Sequence, residues 1–95
     1  MSVFEQLAEA RIREWLARPA AERDAVIPAD PAIPLEVQLQ ADITALDRMA
    51  RQTPIAADAA AMRKRADETM VRLMILLESQ GRPLAARHFQ DQRQR

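Results

Sequence analysis

The residues equipped for chemistry are few and scattered. His88, flanked by Arg87 and Phe89, is the one histidine, and the chain has no cysteine. A single imidazole without thiolates does not make a zinc site, and nothing beside it completes an acid–base pair. His88 is expected at the surface or in the tail. The hydroxyls are Ser2, Thr44, Thr53, Thr69 and Ser79. Two of them read as helix caps, and none follows a strand in the sharp turn that exposes a nucleophilic serine. Gly81 is the single glycine, so no glycine-rich loop cradles a phosphate. Asp67 and Glu68 are neighbours in sequence and point about 100° apart on a helix, which suits a solvated face and not a paired-carboxylate site. No catalytic residue, metal or cofactor is expected, and the chain reads as a non-enzyme.

Two patterns remain that suit binding. Arg63-Lys64-Arg65 is the one compact basic run. Asp67 and Glu68 follow it, giving Arg63–Asp67, Lys64–Glu68 and Glu68–Arg72 pairs at i,i+4, the way an exposed helix face is written. With 14 acidic residues against 14 basic ones, no net field draws in nucleic acid or anionic lipid. A nucleic-acid binder using Arg63, Lys64, Arg65 and Arg72 is the alternative reading. The leading one is a protein-binding surface or homodimer seam. Val71, Leu73, Met74, Ile75, Leu76 and Leu77 cover most of a helix circumference, and a helix apolar nearly all round is buried on more than one side. Candidate interface residues are Trp15, Val71, Met74, Ile75 and Leu76, with plain core the competing reading for Trp15. Methionines 49, 62, 70 and 74 lie on or beside apolar stripes, as core or as an adaptable groove.

The elements that position these residues are helices. Ser2 and Glu5 form a capping box that opens a helix over about 3–18. Phe4, Leu7, Ala8, Ile12, Trp15 and Leu16 fall on its apolar stripe, and Pro19 stops it. Residues 19–34, with Pro19, Pro28, Pro31 and Pro34, form a connector too proline-rich for a long helix or a central strand. A second helix spans about 35–52, with Leu35, Leu39, Ile43, Leu46, Met49 and Ala50 along its stripe. Thr53 and Pro54 read as the N-cap and first-turn proline of a third helix, about 54–80, which Gly81 and Pro83 close. So short a link makes the second and third helices an antiparallel hairpin. The third outruns the second, so its C-terminal part needs another neighbour. Residues 84–89 form a last short turn, and 90–95 fray.

The opening Phe4-Glu5-Gln6-Leu7-Ala8-Glu9-Ala10-Arg11-Ile12-Arg13-Glu14 resembles the first helix of small bacterial proteins labelled "DnaJ family domain-containing". Ile33-Pro34-Leu35-Glu36 and the two helices after it are similar to that family's later helical hairpin. The chain departs from the family directly after the first helix. It has Pro19-Ala20-Ala21-Glu22-Arg23 where the family carries a Gly-Glu-Phe-Asp-x-Leu segment and a Gly-x-Gly-Lys-Pro-Leu segment. The resemblance implies a helical, chaperone-related or adaptor role. With no His-Pro-Asp tripeptide, stimulation of an Hsp70 ATPase in the J-domain manner is not expected.

These readings converge on one all-α domain over 1–95, a three-helix arrangement with a helical hairpin. Its expected partner is another protein or a second copy. Nucleic acid is not the expected partner, and no membrane is expected, since the longest apolar run is far short of the ~20 residues a span needs. The acidic N-terminus does not read as a signal peptide, and the cytoplasm is the expected compartment.

Overall fold

The structure is a computed structural model that describes residues 2–23 and 30–94. Among these residues it holds four α-helices and no strand: α1 (Val3–Leu16), α2 (Leu35–Gln52), α3 (Ala56–Ser79) and α4 (Pro83–Arg93), with a single 3-10 turn at Ala20–Glu22. The chain is all-helical, as expected, but the arrangement has four helices and not three. Val26, Ile27 and Pro28, within residues 24–29 of the proline-rich connector, lie outside the described residues.

The capping box forms. Ser2 Oγ accepts from the Glu5 N–H at 3.2 Å, and Glu5 Oε2 accepts from the Ser2 N–H at 2.8 Å, so two orphan donors are satisfied reciprocally. α1 stops at Leu16, two residues before Arg18, because Pro19 cannot continue it and the chain tightens into the 3-10 turn. At the hairpin the expected cap is displaced. α3 begins at Ala56 with Ile55 as its N-cap, and Pro54 lies before the helix. Thr53 Oγ1 accepts from the N–H of Ile55 at 3.3 Å. A threonine hydroxyl bonding two residues on makes a local turn, and it competes with the cap it resembles in sequence.

The end of α3 is set by its glycine. Gly81 has φ +72°. Its N–H bonds the Glu78 carbonyl at 3.0 Å, while the Arg82 N–H reaches the Leu77 carbonyl at 2.8 Å. These are the two bonds of a Schellman closure, which needs the left-handed backbone that glycine adopts without a Cβ penalty. Pro83 then takes the first position of α4, where its missing N–H costs nothing.

α4 corrects the expectation of a short turn and a tail fraying from residue 90: the helix runs through to Arg93. Its last turn is tied down. Arg93 Nε donates to Asp47 Oδ2 at 2.8 Å, and its Nη2 donates to Asp47 Oδ1 at 3.2 Å and to Asp67 Oδ1 at 2.9 Å. A planar fork across two carboxylates on α2 and α3 is the geometry arginine provides and lysine does not. The Asp47 hydrogen bond also raises the Arg93 pKa further above its usual range.

The core has two parts. In the first, Ala8, Ile12 and Trp15 of α1 pack on Ala41, Ala45, Leu46 and Ala50 of α2 and on Met62 and Ala66 of α3. In the second, Leu39 and Ile43 of α2 pack with Met70, Leu73 and Leu77 of α3 and Ala86 of α4, with Phe89 against the rim. α4 is therefore the neighbour that the overhanging end of α3 requires.

Candidate interaction surface

Each expected interface residue now has a place. Trp15 is 4% exposed and belongs to the first core part. Its indole N–H donates to the Arg23 carbonyl at 2.8 Å, and the Arg23 guanidinium carbon sits 6.0 Å from the ring centroid. Buried and hydrogen-bonded, Trp15 offers no anchor to a partner. Met74 and Leu76 are half-buried and pack against the second core part. Val71 and Ile75 differ, at 55% and 62% exposed. They stand four residues apart on α3, on the face turned away from Met70, Leu73 and Leu77, so they adjoin as one ridge. The structure thus splits the five candidates among three places: Trp15 in the first core part, Met74 and Leu76 against the second, and Val71 and Ile75 in solvent.

The same ridge carries ordered charge. Lys64, Val71 and Glu78 follow one another at intervals of seven, and all three are exposed. A seven-residue step returns to nearly the same line on an α-helix. A cation, an apolar residue and an anion are therefore spaced along one stripe.

A second apolar surface was not anticipated. Val3, Phe4 and Leu7 of α1 are exposed, although Phe4 and Leu7 were expected in the core stripe. Phe4 borders a shallow cavity of about 190 Å³ with Val37, Thr44 and Phe89. Thr44 and Phe89 also line a larger cleft of about 550 Å³ between α2 and α4, whose polar wall is Asp47, Arg51 and Arg93. The signal for Leu7 was in the sequence. It precedes the buried Ala8 by one residue, which is about 100° of helix rotation, and it needed a second neighbour that α1 lacks.

α1 is held to the hairpin by charge as well as by its small apolar face. Arg11 donates to Asp42 across the α1–α2 seam. On the other side, Arg48 Nη2 donates to Glu9 Oε1 at 2.9 Å, with Glu5 at 3.9 Å. Glu9, Asp42 and the nearby Arg65 of α3 are all buried. Burial raises the Asp42 pKa above 3.8, and the hydrogen bond and charge of Arg11, then the charge of Arg65, pull it back only in part. The seam is an ionic latch with a desolvation cost.

Arg63, Lys64 and Arg65 do not form one basic face. Arg63 and Lys64 are exposed, whereas Arg65 turns inward and is buried. Consecutive helical residues point about 100° apart, so a run in sequence is not a patch in space. Among the described residues no three His, Cys, Asp or Glu side chains gather as a metal site. No described helix is long and apolar enough to cross a membrane. No protein-family model, curated protein or solved structure matches the chain, so the surfaces above carry the functional argument.

Proposed function

We propose that the chain is a non-catalytic protein-interaction module whose contact surface is the outer ridge of α3, and that the ridge pairs with its counterpart on a second copy. The observation that carries this is the exposure of Val71 and Ile75 on adjacent turns of a helix whose other large apolar residues are packed. Charge spacing supports a second copy as the occupant. Crossing two α3 helices antiparallel at Val71 sets Lys64 of each opposite Glu78 of the other, because both lie seven residues from Val71. Such a contact is isologous and closes on itself. The apolar centre supplies affinity, and the two ion pairs fix register and direction.

A charge-swap cycle followed by sedimentation equilibrium tests the register. Lys64→Glu and Glu78→Lys each set like charges across the seam and weaken the dimer, and the double variant restores it. A dimer indifferent to both single variants, or a double variant no tighter than either single, would refute this pairing.

A further inference from the structure

Trp15, Arg23, Lys64, Arg65 and Glu68 line a cavity of about 200 Å³ where the C-terminal end of α1 meets α3. Among these described residues three side chains are cationic and one is anionic, an excess of two positive charges in the described lining. Arg65 is only 6% exposed. Among the described residues its side chain makes one hydrogen bond, from Nη1 to Glu68 Oε2 at 3.4 Å, near the outer limit for such a bond. A guanidinium has five N–H donors, so most of those of Arg65 are left for an acceptor in the cavity. The other acid near it, Asp42, is already taken by Arg11. Arg23 spends its Nε and Nη2 on the Arg18 and Leu16 carbonyls, at 3.1 and 2.7 Å, which fixes its guanidinium beside the indole. Lys64 is exposed at the rim.

We infer that this cavity binds a compact, doubly charged oxyanion of the phosphate class, with Arg65 as the buried donor, Lys64 closing over it and Arg23 completing the positive wall. A dianion matches the two surplus charges, and a tetrahedral oxyanion accepts several N–H bonds from a fork and a point cation at once. Glu68 limits the site to ligands able to displace its one long bond to Arg65. Lys64 also belongs to the proposed α3 seam, so the variants below are compared in the Ile75→Glu background, where that pairing does not compete for it.

Trp15 is the only tryptophan in the chain and lies in the cavity wall, so its fluorescence reports occupancy directly. The test titrates inorganic phosphate against sodium chloride at matched ionic strength. The expected result is a saturable change with phosphate and none with chloride. Arg65→Gln should abolish saturation. Lys64→Gln, at an exposed position that leaves folding intact, should weaken binding about fivefold, the effect of one partly screened ion pair. Glu68→Gln should tighten it. A phosphomonoester such as glycerol phosphate distinguishes sources: tighter binding than inorganic phosphate assigns the ligand as an ester, weaker binding as the free ion, and both support the site. A phosphate response no larger than that of chloride, or a saturable one unchanged by Lys64→Gln and Glu68→Gln, would overturn the inference.

Discussion

At its N-terminal half α3 meets α1 through Met62 and Ala66, set against Ala8, Ile12 and Trp15, with the buried charges of Arg65 and Asp42 and the half-buried Arg11 beside them. At its C-terminal half it meets α4 through Met70, Leu73 and Leu77, packed with Leu39, Ile43 and Ala86. The first contact sets Ile12, Trp15 and Met62 among alanines and adds buried charge, and the second packs large aliphatic residues of α2 and α3 around Ala86 of α4. Large side chains remove much apolar surface from water and contribute most of the stability. Alanines let helices approach closely but bury little, and buried ion pairs add orientation more than energy. The α4 end is therefore held by aliphatic packing, and the α1 end combines packing with the buried charges of Glu9, Asp42 and Arg65.

This contrast can be broken from either side. Leu73→Ala should have the largest effect, about 4 kcal/mol, because the side chain is fully buried among large neighbours that cannot close the gap. Urea unfolding reads it, with an unchanged m-value if the transition stays two-state. Asp42→Ala comes next at about 3 kcal/mol, since it leaves the half-buried Arg11 without its acceptor. Replacing both partners with apolar residues, Arg11→Met with Asp42→Leu, should recover that loss or exceed wild type. A double variant as unstable as Asp42→Ala would show that the pair is a true stabiliser.

The pH dependence follows from the same pair. The folded pKa of Asp42 lies above its unfolded value, so the folded state binds that proton more readily. The Asp42 contribution therefore becomes more favourable as pH falls through the folded pKa, and is complete below about 3.8. Asp42→Asn keeps an acceptor for Arg11 and removes the buried charge. Its stability advantage over wild type should be greatest near neutral pH and shrink on acidification. An advantage that grows as pH falls would show that Arg11, and not burial, dominates at this site. A smaller effect is expected from Arg93→Ala, about 1 kcal/mol. It should appear as faster amide exchange in the last turn of α4, with protection of α2 and α3 retained.

Much of this fold is legible in the residues that punctuate it. Ser2 with Glu5, Gly81 and Pro83 act through local backbone rules, and each does in the structure what its type requires. Thr53 misled because a hydroxyl can bond two residues on as readily as it can cap a helix. α4 escaped notice because its stability is not local. Its few apolar residues and polar end look like a tail until Asp47 and Asp67, 46 and 26 residues away, supply the carboxylates for Arg93. The candidate surface was legible in part. The widened stripe from Val71 to Leu77 signalled two neighbours, and α2 and α4 are those neighbours for most of it, leaving Val71 and Ile75. Which of the six residues stay free depends on where α4 docks, and no period in the sequence holds that.

Ile75→Glu should change stability least, by no more than about 0.5 kcal/mol, because the side chain is already in solvent. That makes it the most direct test of the interaction role. Light scattering on a sizing column, at high micromolar concentration, should give twice the chain mass for the wild type and the single chain mass for Ile75→Glu, with identical helical circular dichroism. A wild type that stays monomeric at every concentration, or a dimer that survives Ile75→Glu, would contradict the account.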